Sequence, residues 1–238
     1  TPSYTLTSIA LALVLALLFG IVYLDVTYST FQGLNSGIGM LFMVVLFNGF
    51  VTLNGIIPLT TRDRAAYYRE RASQTYSAVW YFIGSTFAEI PYTFICGAVF
   101  TVIFYPMVGF SGVGSAFLFY LNFSLFMLEQ AYIGQFWAYL MPSEEVAIVM
   151  GLLLNNILYI YTGFSPPYSA LPSGYKWLYH ANPMRYAISI AAALGYTEDV
   201  FGMKHDEIAQ NFGITIAFIV FFRILGMFAL RYVNHQKK

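Results

Sequence analysis

Charge is what this sequence has least of. Only 9% of its 238 residues are Asp, Glu, Lys or Arg, about a third of the roughly 25% usual in soluble domains. Eleven basic residues balance eleven acidic ones, so the chain as a whole has no electrostatic reason to seek nucleic acid. Cysteine is nearly absent. Cys96 stands alone inside an apolar run, which excludes an internal disulfide or a Cys-based metal site and suits a buried thiol. Of the three histidines, His180 and His205 lie between apolar runs and His235 in the basic tail. None has a second ligand at useful spacing, so no metal site is expected. No G-x-x-x-x-G-K-[ST] string occurs, which removes the phosphate-cradling P-loop. Repeats, low-complexity tracts and long linkers are missing too, and residues 1–238 read as one domain.

Apolar residues fill the space left by charge. The chain is 59% hydrophobic and 19% aromatic, more than one soluble core of this size could hide, so lipid is the expected solvent. A bilayer's hydrocarbon core is about 30 Å thick and takes roughly 20 apolar residues to cross as a helix. Six runs qualify, at about 6–24, 37–59, 77–110, 114–141, 146–164 and 208–233. The first lacks a basic leader and a small-residue cleavage site and reads as a permanent helix. Tyr186 to Leu194 is apolar but too short to cross, which suggests a re-entrant or interfacial piece. The fold expected is therefore all-α and membrane-embedded, with six transmembrane helices.

Four of the eleven basic residues, Arg62, Arg64, Arg69 and Arg71, fall within ten positions just before the third run. Lys and Arg in short loops favour the cytosolic side. Six spans with both termini on one face put seven there (these four with Arg231, Lys237 and Lys238) against Lys176, Arg185 and Lys204 opposite. Both termini and the arginine cluster are thus expected in the cytosol. Charge bias alone accounts for the arginines. Their interleaving with Asp63, Glu70, Ala65, Ala66, Tyr67 and Tyr68, without Gly or Pro between Thr60 and Tyr76, also predicts a short amphipathic helix lying at the cytosolic interface. Such a helix is a docking surface as well as an anchor.

"RERASQTYSAVWYFIGSTFAEIPY" (69–92) resembles the segment joining the second and third membrane helices in the G subfamily of ABC transporters. The likeness is strongest to the pleiotropic drug resistance type, particularly oomycete-like members. "TPSYTLT", "FNGFVTLNGIIP", "FYPMVGF", "YTGFSPP", "WLYHANPMRYA" and "LRYVNHQKK" follow the same family in the same order. The resemblance implies an ABC-2 type transmembrane domain with a coupling segment at 60–76 and an outer re-entrant segment at 165–207. It implies a second similar half, and a nucleotide-binding domain holding ATP and Mg on polypeptide not included in this chain; the start at Thr1 suits a fragment. Arg62, Arg64, Tyr67, Arg69, Glu70 and Arg71 would rest on that domain, with Glu70 and Arg71 as the grip. The implied location is the plasma membrane. The outer segment is shorter than in many relatives and lacks their cysteines, which leaves the geometry of an outer cap open.

Glu89, Glu129 and Arg223 lie inside spans, where a charge costs about 2.5–3.5 kcal/mol at mid-membrane. Each needs a partner, a route to the interface or a neutralising proton, and Glu129 and Glu89 are the candidate partners of Arg223. Interhelical glue and a polar relay carrying motion to the substrate path are both open readings. Asn48 in the second span and Asn155 and Asn156 in the fifth could bond between helices. The resemblance implies a drug cavity between the second and fifth helices of both halves. Phe42, Leu46 and Phe50 recur every four residues and, with Asn48, would form one wall, Asn156 and Tyr159 the other, suiting flat, apolar, weakly charged molecules or lipids. Phe164 falls where relatives place an apolar plug. "NFS" at 122–124 matches a glycosylation acceptor but lies within the fourth span.

A passive channel or secondary transporter would want matched polar or broken helices in related half-repeats, and none are visible. An intramembrane enzyme would need a nucleophile and base, and no histidine lies in a span. No catalytic site is expected in this chain. The leading expectation is the membrane half of an ATP-driven exporter of hydrophobic molecules or lipids, with a channel or secondary transporter as the alternative.

Overall fold

The computed structural model describes residues 2–24, 26, 28, 30–72, 78–164, 166, 168–195 and 207–233. Regular structure among them is helical. Eight α-helices run in order: α1 Pro2–Val22, α2 Phe31–Ala72, α3 Ala78–Met107, α4 Val113–Leu140, α5 Glu144–Ile160, α6 Lys176–His180, α7 Pro183–Gly195 and α8 Ile208–Tyr232. Single 3-10 turns at Tyr168–Ala170 and Ser173–Tyr175 precede α6. Helix is the expected answer where lipid offers no partner to backbone N–H and C=O groups.

Five helices, α1, α2, α3, α4 and α8, are long and apolar enough to cross a membrane. The sequence predicts six such runs, and the one at 146–164 is the exception. It forms α5, of 17 residues, about 26 Å at 1.5 Å per residue. It stops at Ile160 because Gly163 takes a left-handed φ of 90° and the chain turns through Tyr161 and Thr162, whose N–H groups bond Leu158 and Tyr159. Its start is capped by Ser143, whose Oγ accepts from the Val146 N–H, with Glu144 and Glu145 in the first turn facing the positive end of the helix dipole.

A second difference concerns the arginine cluster. Residues 60–72 are helical, yet they do not form a separate interfacial helix. They continue α2 without a break to a length of 42 residues, about 63 Å, twice a hydrocarbon core. Residues 73–76, the end of the predicted coupling segment, lie outside the described residues, as do His205 and His235.

α4 is the centre of the bundle and packs against α2, α3, α5, α7 and α8. Between lipid-embedded helices association rests on close van der Waals packing and small residues. At Gly134 of α4, a β-carbon would stand 2.9 Å from the Leu53 carbonyl of α2, so only glycine allows this approach. Along α3 and α4, Phe100 stacks on Phe123 at 4.3 Å and Phe104 on Phe119 at 6.1 Å. Gly109 and Gly112, at φ 78° and 98°, make the tight turn between these helices, and Tyr105 Oη fastens it by donating to the Ser111 carbonyl at 3.0 Å. Leu6, Val14, Leu18, Ile21 and Val22 of α1 stay exposed, as a lipid-facing surface requires. The short helix α7 is buried instead, among α2, α4 and α8.

Candidate functional site

The meeting of α2 and α5 carries the residues predicted to bind substrate. Tyr159 is 4% exposed, and its hydroxyl donates to the Val45 and Leu46 carbonyls of α2 at 3.1 and 3.0 Å. Gly49 makes that possible, because a β-carbon there would run into the Tyr159 hydroxyl. The Phe42 ring meets Tyr159 edge-on at 6.1 Å and stacks on Phe164 at 5.0 Å. Phe164 also rests over Gly39. Phe42, Tyr159 and Phe164 therefore form one aromatic junction, with Leu46 half-buried beside it. Phe50 of α2, and Leu153, Asn156 and Ile157 of α5, are exposed on the same two helices. The Asn156 amide bonds back to the Leu152 carbonyl at 2.9 Å, leaving its own carbonyl oxygen on this surface.

Asn48 is not part of that wall. It lies two positions from Phe50, about 200° around the helix, and is 2% exposed on the side facing α1 and α3. Its amide bonds back to the Val44 carbonyl.

Beyond Ile160 the chain is pinned by Asn182, whose Nδ2 donates to the Leu158 carbonyl at 2.6 Å while its Oδ1 accepts from the Met184 N–H at the start of α7. Arg185 stacks over Tyr179 at 4.0 Å and donates to His180 Nδ1. Burial pushes the Tyr179 hydroxyl pKa up, with Arg185 opposing. Trp177 is well exposed, as an interfacial side chain would be.

The arginine-rich end of α2 divides by face. Thr60, Arg64, Tyr67 and Tyr68 are buried, while Arg62, Asp63, Arg69 and Glu70 are exposed. Arg64 is 5% exposed. It donates to the Ala138 and Met141 carbonyls at 2.6 Å each and to the Pro142 carbonyl at 3.2 Å. Those are orphan carbonyls at the C-terminus of α4, so Arg64 is its cap. Tyr68 Oη donates to the Val233 carbonyl at 3.0 Å, closing the end of α8. The prediction that Arg64 and Tyr67 rest on a partner domain does not fit their burial here; both side chains face α2's own neighbours. The side chain of Arg71 lies outside the described ones.

Arg223 of α8 sits between α3 and α4. Nε donates to Thr86 Oγ1 at 2.6 Å, Nη1 to Gln135 Oε1, and Nη2 to the Phe82 carbonyl and Ser85 Oγ at 3.1 and 2.7 Å. Its guanidinium lies 4.0 Å from the Phe82 ring centre and 4.5 Å from that of Tyr132. Neither candidate glutamate is among these hydrogen-bond acceptors, all of which are neutral. Among the described residues, fully buried Glu129 has no hydrogen-bond partner for either oxygen, and Glu89 has none for Oε2.

A family model described as "ABC-2 type transporter" matches residues 1–196, and one described as "CDR ABC transporter" matches 190–238. The chain belongs to the ABC-2 type transporter family. It is 28% identical over its whole length to pleiotropic drug resistance protein 1 of Nicotiana tabacum. It is 27% identical to ABC transporter G family member 32 of Arabidopsis thaliana and 29% to ABC transporter G family member 36 of Oryza sativa subsp. indica. It spans 18% of the length of each of these curated relatives.

The ABC-2 domain also contains a cavity of about 330 Å³ between α1, α2 and α3, lined by Asn48 and Glu89 but by none of Phe42, Leu46, Phe50, Asn156 or Tyr159. Sequence reasoning missed this cavity, the capping role of Arg64, and Ser85, Thr86 and Gln135 as the cradle of Arg223. Only the last left a signal: Ser85 and Thr86 stand one turn before Glu89 on α3, a polar cluster in an apolar span. In the ABC-2 domain Asn122, predicted to be unmodified, is 3% exposed and donates to the Ala187 carbonyl of α7.

Proposed function

We propose that this ABC-2 domain is one half of the membrane pathway of an ATP-driven exporter, moving hydrophobic small molecules or lipids away from the cytosol or inner leaflet. Its companions are a second similar half and a nucleotide-binding domain that supplies ATP hydrolysis with Mg. The supporting observation is Asn156. Its amide stands exposed among Leu153, Ile157 and Ile160 on α5, a poor surface for lipid and a good one for a cavity shared with a facing half. Phe50, opposite on α2, offers an aromatic face to a flat ligand, and the Phe42–Phe164 stack closes the far end of that surface as an apolar plug.

In this reading α5 completes six spans with some local bilayer thinning, the segment around α6 and α7 re-enters the bundle from outside, and both termini are cytosolic. The plasma membrane is the proposed location. α2 is the lever. Arg62, Arg69 and Glu70 are exposed at its arginine-rich end and meet the nucleotide-binding domain, while Phe42 and Phe50 lie on the same unbroken helix. Because Arg64 and Tyr68 hold the ends of α4 and α8, a displacement of that end moves three helices together.

The test is site-directed cross-linking. Cysteines at Phe50 and Asn156 in two facing halves of the full-length transporter should form disulfides, and ATP with vanadate should change their yield. No cross-link at either position with both halves present would overturn the paired-cavity reading.

A further inference from the structure

The cavity between α1, α2 and α3 is separate from the α2–α5 surface and has a different chemistry. We propose that it is a second binding site, for an amphiphile with an apolar tail and a protonated amine head. Glu89 is 7% exposed and lines it, with Oε2 lacking a hydrogen-bond partner among the described residues. A carboxylate held out of water needs a counter-charge and donors. Arg223 acts on it through charge alone and donates it no hydrogen bond, since its donors go to Thr86, Gln135, Phe82 and Ser85. Arg62, the basic residue of the lining, is exposed.

Three further polar groups of the lining fit the same ligand. The hydroxyl hydrogens of Ser8, Thr52 and Thr93 go to the carbonyls of Tyr4, Asn48 and Glu89, each one turn back, at 2.9, 2.8 and 3.1 Å. That leaves oxygen lone pairs as what they offer the cavity. Acceptors around a buried carboxylate select a cationic donor, and Leu11, Val51 and Met127 supply apolar wall. At about 330 Å³ the space is at the small end of ligand sites, sized for an alkylamine and too small for a whole phospholipid.

Cys96, 3% exposed, lies in the same wall and serves as the reporter. The full-length protein in phosphatidylcholine nanodiscs is treated with N-ethylmaleimide, and alkylation of Cys96 is followed by peptide mass spectrometry. Saturating dodecylamine should slow the reaction about tenfold, while dodecanol, with the same tail and a neutral head, should slow it less than about twofold. Glu89→Gln should raise the dodecylamine concentration giving half protection about tenfold, the loss expected for a charge-assisted hydrogen bond. Thr93→Val, which keeps shape and carboxylate, should raise it about threefold. Equal protection by dodecanol, unchanged protection in both variants, or a Cys96 inert to maleimide without ligand would each overturn the proposal. The assay reads occupancy and not transport, so it stands or falls apart from the exporter reading.

Discussion

Replacing Arg64 with methionine keeps the length of the stem and removes the guanidinium. Three donated hydrogen bonds disappear, to Ala138, Met141 and Pro142, and the end of α4 loses its cap. Each bond from a charged donor contributes about 1.5–3 kcal/mol when buried. The carbonyls lie at a helix end that water can enter once the side chain is gone, which recovers part of the loss. The net cost is about 3 kcal/mol, close to a hundredfold in an unfolding equilibrium. Lysine at the same position has a point charge in place of a fork and cannot reach all three carbonyls, so it should recover less than half. The assay is SDS titration of the purified full-length protein, with an environment-sensitive label at Met141 reporting the end of α4. Arg62→Ala, exposed two positions away, is the control and should leave the midpoint unmoved. If Arg64→Met and Arg62→Ala behaved alike, or lysine fully restored stability, the capping assignment would be wrong.

Arg223→Leu should destabilise the α3–α4–α8 contact by about 1–3 kcal/mol, since it leaves Gln135, Ser85 and Thr86 without their shared donor; near-native thermal stability in detergent would argue against that clasp. Tyr159→Phe removes one hydroxyl from two α2 carbonyls and should cost about 1 kcal/mol, seen as faster exchange of amides along Met43 to Gly49. Asn156→Leu should leave stability within about 0.5 kcal/mol while selectively impairing export of polar-tipped dyes; equal loss across a dye panel would make Asn156 a packing residue. Glu70→Ala with Arg69→Ala should uncouple substrate-stimulated ATPase activity from export without shifting the SDS midpoint, and a shift in stability alone would refute the docking role.

The sequence by itself determined the solvent and, through it, the class of fold. Runs of apolar residues long enough to span, with little charge inside them, admit only helices in lipid, and α1, α3, α4 and α8 follow those runs closely. The short gap between the runs ending at 110 and starting at 114 placed the α3–α4 turn, where Gly109 and Gly112 take a left-handed backbone. The segment strings along the whole chain, 69–92 first among them, carried the family. What the sequence could not decide was which side of each helix faces which neighbour. A soluble helix announces its inner face by contrast between apolar and polar residues, but α4 spreads its few polar residues around a mainly apolar surface and carries no such contrast. So Arg64 and Arg62, two positions apart and alike in the sequence, separate into a buried cap and an exposed charge only when α4 ends beside one of them. Arg223 finds its partners on two other helices, 88 to 141 residues away along the chain, and Asn48 turns from the α5 side to a cavity with Glu89. Polar contacts inside a bilayer depend on the rotation of each helix about its own axis, and that rotation is set by packing against all its neighbours at once.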